Sequence, residues 1–319
     1  MHSPEQELPA MRPPTSMTIA GSDSGGGAGI QADLKTFTAL GVYGTSAITA
    51  LTAQNTRGVQ AVIPIDPQDV IRQVTSVLDD IPLDATKIGM LASAEVIAAL
   101  AETIGSRRVA FGHLVLDPVM VATSGDVLLP DTATELLRER LLPLTHVITP
   151  NLPEAARLLD VPVAADLDAM ADQAEQLRDL GAEVVVLKGG HREAEEEVVD
   201  VVAHPGGVDL LRAERVHTRG THGTGCTLAA AIAAQYARIA RARTPGNGGL
   251  RFLATTPDAA DEIGGAQAPG DDLAAIGAGR DFLQRALRGG AEQQLSVAPQ
   301  DGHGPVDHLI TIARREAED

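Results

Sequence analysis

Short apolar runs alternate along the chain with stretches whose apolar residues recur every three or four positions. Residues 17–21, 45–55, 86–91, 113–120, 146–151 and 183–190 read as buried strands. Helical periodicity or helix-start signals appear from 30 to about 37 (stopped by Gly41), over 67–78, from Ser93, over 133–142, from Leu152 and over 272–287. Residues 58–65 alternate like an exposed edge strand or flap. Residues 198–202 and 208–216 read as an antiparallel pair across Pro205-Gly206-Gly207. Strands alternating with helices predict an α/β fold with a mostly parallel sheet covered on both faces. No internal repeat is present.

Residues 1–16 carry Pro4, Pro9, Pro13 and Pro14 without an apolar stretch, which predicts a disordered tail rather than a signal peptide. Residues 244–271 are Pro/Gly/Ala-rich without periodicity and read as a flexible insertion. Residues from about 289 to 301 read as a linker before a final ordered turn. The expected organisation is a single domain over 17–319.

Composition narrows the function. Hydrophobic residues make up 44% of the chain, yet there are no Trp, two Tyr and four Phe, so Ala, Val, Leu and Ile must build the core. A net charge of −18 argues against nucleic acid or an anionic membrane as partner. Any phosphate ligand must then be met locally by N–H groups, one or two Lys and a metal. A single cysteine excludes an internal disulfide and fits a reducing cytoplasm.

The stretch richest in chemistry is Thr218-Arg219-Gly220-Thr221-His222-Gly223-Thr224-Gly225-Cys226-Thr227, which runs into the helix-forming Leu228-Ala229-Ala230-Ala231-Ile232. Gly223 and Gly225 allow several N–H groups to converge, and the helix dipole adds to them, so the turn is a ready anion site. Cys226 at its edge is expected to have a lowered pKa and thiolate character. A tight loop with an inert buried cysteine is the plainer alternative.

Other polar residues share one address. Asp23, Gln54, Asp117, Asn151 and Lys188 all fall at or just past strand ends, where ligands of open α/β sheets bind. Asn151-x-x-Glu154 suits a Mg²⁺ held partly through water, or Glu154 simply complements a helix dipole. Lys188 could meet phosphate oxygens or snorkel to the surface. Asp117 could be a core hydrogen-bonding residue before Pro118. Gln54 could cap its strand or read a heterocycle edge. Met90 and Val119 read as core, and His191 and His222 as structural histidines. The glycine loop at 21–29 has neither the dinucleotide nor the P-loop spacing, so it could admit a small ligand close to backbone, with Asp23 or Asp33 accepting from it.

In order along the chain, Ala20-Gly21-Ser22-Asp23, Gly26-Gly27-Ala28-Gly29-Ile30-Gln31-Ala32-Asp33, Leu51-Thr52-Ala53-Gln54-Asn55, Lys87-Ile88-Gly89-Met90-Leu91 and Leu116-Asp117-Pro118-Val119-Met120 resemble the hydroxymethylpyrimidine/phosphomethylpyrimidine kinases of thiamine biosynthesis. The resemblance continues through Thr149-Pro150-Asn151-Leu152-Pro153-Glu154, Lys188-Gly189-Gly190-His191, Thr221-His222-Gly223-Thr224-Gly225-Cys226-Thr227 and Gly304-Pro305-Val306-Asp307-His308. Gly25 stands where the family often has Ser, and 244–271 is extra.

The resemblance implies a ribokinase-like three-layer α/β/α sandwich with a small β-flap, and an ATP-dependent phosphotransferase. Asp33 and Gln54 would bind the pyrimidine and its amino group, with Gly21, Ala28, Met90 and Val119 shaping the pocket. Asn151, Glu154, Lys188, Asp117 and Thr221 would serve MgATP, Glu154 and Asp117 on the metal side. Gly223, Thr224, Gly225 and Cys226 would form the anion hole, Cys226 standing where sugar kinases of the superfamily carry Asp as base. A homodimer built partly on the flap is also implied. A pyridoxal kinase and a catalytically silent pyrimidine or nucleotide binder are the competing readings.

Overall fold

The computed structural model describes residues 12–121, 129–190, 196–243, 270–293 and 295–311. Among them, strands β1 (Thr15–Asp23), β2 (Tyr43–Asn55), β3 (Gly58–Pro64), β4 (Ala85–Ile88), β5 (His113–Leu116), β6 (Val147–Ile148), β7 (Val184–Leu187), β8 (Glu197–His204) and β9 (Gly207–Glu214) form one sheet. Its order is β3-β2-β1-β4-β5-β6-β7-β8-β9. The strands from β2 to β7 pair in parallel, while β3, β8 and β9 join antiparallel at the two edges.

Side chains alternate across each strand, and this divides the interior into two cores. Val185 and Leu187 pack on one face with helices α2 (Pro67–Leu78), α3 (Ala94–Arg107), α4 (Asp131–Leu136), α5 (Leu152–Leu159) and α6 (Leu167–Asp179). Val184 and Val186 pack on the other with α1 (Gly29–Ala39), α7 (Thr224–Ala242) and α8 (Asp271–Ala291). The result is the expected three-layer α/β/α sandwich. Small side chains let α7 sit deep in it: Ala229 to Ala234 are fully buried, and a Cβ on Gly279 of α8 would lie 2.9 Å from Cγ1 of Ile232.

Several boundaries differ from the sequence reading for visible reasons. β1 starts at Thr15, inside the expected tail, because Asp84 accepts hydrogen bonds from Arg12 at 2.6 Å and from the Thr15 N–H at 2.9 Å. The helix expected over 133–142 ends at Leu136 and unwinds through a wide turn over Leu137–Leu141 and a tight one over Leu142–Leu144, which contains Pro143. α6 fills a region to which no element had been assigned. α8 continues to Ala291 instead of giving way to a linker at 289, since Gly289 and Gly290 let the segment around Asp307 pack against the helix. Nearly all of the 244–271 insertion lies outside the described residues.

Candidate active site

The C-terminal ends of the parallel strands open into a cleft of about 1720 Å³. Its floor is the start of α7. Gly223 adopts φ 81°, and a Cβ there would overlap the carbonyl oxygen of Gly27, so the two glycine loops meet backbone to backbone. No side chain caps the helix. The Thr224 N–H donates to the Thr221 carbonyl at 3.3 Å, and no side chain takes the next N–H groups of the first turn, at Gly225 and Cys226. Thr224 Oγ1 donates back to the Thr221 carbonyl at 2.5 Å and tightens the loop.

One wall holds a compact charge cluster. Lys188, immediately after β7, donates to Asp117 Oδ1 at 3.1 Å and lies 4.0 Å from Glu154 Oε2. Thr149 Oγ1 donates to the same Asp117 oxygen. A Cβ on Gly225 would stand 3.3 Å from Lys188 Nζ and 3.4 Å from Asp117 Oδ2, so this cluster adjoins the helix terminus directly. Burial pushes the Glu154 carboxyl up to about 7, against the pull of Lys188 and with the push of Asp117. Burial alone would lower the Lys188 ammonium, but Asp117 and Glu154 outweigh it and hold it above its ordinary value. Asn151 and Glu154 form a reciprocal capping box at the start of α5: Asn151 Oδ1 accepts the Glu154 N–H at 2.8 Å, and Glu154 Oε2 accepts the Asn151 N–H at 2.7 Å. Both residues line the cleft, but these bonds leave each with only part of its capacity for a ligand.

Gly21, Ala28, Gln54, Met90, Val119 and Thr221 also line the cleft. A register shift between Ala53 and Gln54 marks where the β2–β3 pairing becomes irregular beside the cleft. Asp33 lies apart from these residues. It is fully buried outside the cleft lining, accepting from Thr18 Oγ1 at 2.6 Å and pairing with the equally buried Lys87 at 2.8 Å, so its carboxylate is not available to a substrate.

Cys226 lines the cleft in the first turn of α7, but its expected thiolate character is reversed. Burial pushes the thiol up to about 11; Lys87 and the Gly29 N–H pull it down, while Asp33 and Asp117 push it further up. Desolvation exceeds the pull of Lys87 and the Gly29 N–H.

Residues 23–271 match the profile of a family described as phosphomethylpyrimidine kinase. The chain belongs to the phosphomethylpyrimidine kinase family. It is 52% identical over 218 residues to the hydroxymethylpyrimidine/phosphomethylpyrimidine kinase of Escherichia coli (strain K12), covering 68% of this chain and 81% of that one. Among solved structures it resembles a Bacillus subtilis pyridoxal kinase in an ADP complex, with a TM-score of 0.75 and 35% identity over 93% of this chain and 97% of that one. It also resembles the phosphomethylpyrimidine kinase of Clostridium difficile 630, with a TM-score of 0.64 and 36% identity over 84% of this chain and 99% of that one.

In this member of the phosphomethylpyrimidine kinase family, three features of the site escaped the sequence reading. Lys87 looked like part of a strand, and only the fold shows its ammonium buried between Asp33 and the start of α7. Asp23 lines the cleft, but its carboxylate is engaged within the protein, accepting from the N–H groups of Gly25, Gly27 and Ala28 and from His222. The C-terminal segment closes one end of the cleft, with the His303 N–H donating to the Thr56 carbonyl at 2.9 Å and Gly304 accepting from the His222 N–H at 2.9 Å. His303 Nδ1 lies 3.2 Å from Thr221 Oγ1. The Gly-Pro-Val-Asp-His run was the only available signal for that closure. His191 lies outside the described residues.

Proposed function

We propose that the protein is an ATP-dependent kinase that phosphorylates 4-amino-5-hydroxymethyl-2-methylpyrimidine and then its monophosphate, supplying the diphosphate used for thiamine diphosphate. The observation that carries this reading is the uncapped start of α7, flanked by the Lys188–Asp117 pair on one side and by Gln54 on the other. Phosphoryl transfer asks chiefly for positioning and for stabilisation of spreading negative charge. The N–H groups around Gly223, Thr224, Gly225 and Cys226 would hold the transferring group, and Lys188 would neutralise its oxygens. Gln54, Gly21, Ala28, Met90 and Val119 would seat the ring with its hydroxymethyl oxygen at the nest.

Two buried carboxylates share one ammonium, and burial, with the push of Asp117, raises Glu154 to about 7. That donor set suits Mg²⁺, which Asp117 and Glu154 would help to hold together with nucleotide phosphates. When bound, the ion would neutralise phosphate charge. Among the described residues no group of three metal-ligating side chains exists that would hold a metal without such help.

In the first phosphorylation the hydroxymethyl oxygen bonds to the γ-phosphorus, the bond to ADP breaks, and the hydroxyl proton must leave. Cys226, in the cleft lining at the start of α7, is the candidate acceptor, through its thiolate form. The second phosphorylation uses an already anionic phosphate oxygen and needs none. With the thiol raised to about 11, only a small fraction is thiolate at neutral pH, and that fraction would be the form that takes the proton.

Pyridoxal phosphorylation is the second reading, favoured by the likeness to a pyridoxal kinase structure. The edge hairpin of β2 and β3 exposes Tyr43, Leu51, Val62 and Ile63, which supports a homodimer closed on this flap. No helix among the described residues is long and apolar enough to cross a membrane, and the single cysteine supports a cytoplasmic setting. Acceptor-dependent ADP release tests the kinase reading. Release with the pyrimidine supports it, and ATP binding without release under any acceptor would favour a silent binder.

A further inference from the structure

The wall of the pocket that holds Gln54 contains a hydrogen-bond relay whose direction follows atom by atom. Asp23 accepts from the N–H groups of Gly25, Gly27 and Ala28 at 2.8, 3.0 and 2.8 Å. Burial would raise its carboxyl, but His222 and these N–H groups outweigh it and hold it below its ordinary value. Asp23 is therefore ionised and can only accept.

His222 Nε2 lies 2.8 Å from Asp23 Oδ2 and must carry a proton to donate there. The same nitrogen lies 3.4 Å from the Gln54 amide. An amide nitrogen at that place would set donor against donor. Turned by 180°, the amide sets its carbonyl oxygen beside Nε2–H, whose one hydrogen stays with Asp23, so donor no longer faces donor. Its nitrogen then donates to Thr52 Oγ1 at 3.0 Å, whose own hydrogen goes to the Ser22 carbonyl at 3.0 Å. The amide nitrogen and Thr52 Oγ1 then each have a partner of the opposite kind, and the carbonyl oxygen is left open to a ligand. The His222 ring has little room to leave this position: it is only 9% exposed, a Cβ on Gly27 would overlap it, and its backbone is bridged to Pro305.

We propose that His222, with its tautomer fixed by Asp23, orients the Gln54 amide so that its carbonyl oxygen is presented to the substrate, selecting a ring that bears an exocyclic amino group. The proposal rests on the pyrimidine kinase reading and deepens it. The Gln54 oxygen keeps a lone pair for an amino N–H. A ring with an oxo group at the same place would bring acceptor to acceptor and leave both buried oxygens unpaired. His222 is a positioning residue: it touches Gln54 and Asp23.

The test compares kcat/KM for the 4-amino pyrimidine and for its 4-oxo analogue in the wild type, His222→Phe, Gln54→Met, the double variant and Asp23→Asn. The wild type is expected to favour the amino ring by about 100-fold or more. His222→Phe and Gln54→Met should each reduce that preference below about 10-fold, with KM for ATP little changed. The double variant should show no preference loss beyond Gln54→Met alone. Asp23→Asn is nearly isosteric; its oxygen would stay on the Gly27 and Ala28 N–H groups and the lost charge would weaken the hold on Nε2–H, so it should relax the preference in the same direction but less, and Gln54→Met decides the matter if His222→Phe does not fold. An unchanged preference in the folded variants, or a further loss in the double variant, overturns the proposal while leaving the kinase reading intact. A wild type that phosphorylates neither pyrimidine overturns the substrate reading itself and the proposal with it.

Discussion

Lys188 and Asp117 form a 3.1 Å ion pair at the ends of neighbouring parts of the sheet, and the pair faces Gly225 at the start of α7. Replacing Lys188 with Met leaves Asp117 and Glu154 uncompensated in a buried place and removes the one ammonium in contact with them. The expected result is a loss of about 100-fold or more in kcat/KM for both phosphorylations, with weaker ATP binding. Steady-state kinetics on each step checks it, and a loss confined to one step would contradict it.

Gly225→Ala tests the close approach of the same groups. Its Cβ would crowd Lys188 and Asp117 at 3.3 and 3.4 Å, tight but short of a backbone clash. The protein should stay folded while kcat falls by about 10-fold or more, because small misplacements at a transferring phosphate are costly. Thermal melting beside kinetics separates the two effects.

Cys226→Ala should slow the first phosphorylation about 10-fold or more relative to the second, since only the first must shed a hydroxyl proton. The thiol, pushed up to about 11 by burial, also predicts slow alkylation at pH 7 that accelerates steadily towards pH 11. Rapid labelling at neutral pH would show that the helix terminus prevails after all.

The buried Asp33–Lys87 pair predicts a stability effect. Removing one partner, as in Lys87→Met, leaves an isolated charge at 0% exposure and should cost about 3–5 kcal/mol in urea unfolding. Restoring balance with Asp33→Leu in the same chain should recover part of that loss.

His113 predicts a pH dependence far from the cleft. Burial first, then His146, Arg108 and Arg243, lower its pKa to about 4, against the opposing pull of Asp272. The unfolded chain then binds more protons than the folded one between pH 6.5 and 4, so stability present above 6.5 is lost as pH falls through that window. His308, lowered to about 4 chiefly by burial, acts in the same direction, and Glu154 acts oppositely between about 4.5 and 7. The difference curve between wild type and His113→Asn isolates the His113 share, since the other two cancel.

The strand–helix alternation was legible because parallel strands buried on both faces must be apolar runs, and residues such as Lys188 and Asp117 interrupt those runs at their ends. The helix start at Cys226 was legible from its glycines. The chemistry of buried groups was not. Whether Asp33 meets a substrate or Lys87 depends on which strand lies beside α1, a property of sheet order rather than of local pattern. The Cys226 pKa turned on the same point, because the local helix signal predicts a thiolate and only packing shows how much water is lost. Asn151 and Glu154 carried two readings from the start, and the capping box shows that the structural one is present whatever ligand also binds there.

The most direct test of the central claim is a mass-spectrometric time course of products formed from 4-amino-5-hydroxymethyl-2-methylpyrimidine with ATP and Mg²⁺, with pyridoxal run in parallel. The account predicts a monophosphate that rises and then gives way to the diphosphate. Phosphorylated pyridoxal with no phosphorylated pyrimidine would contradict it.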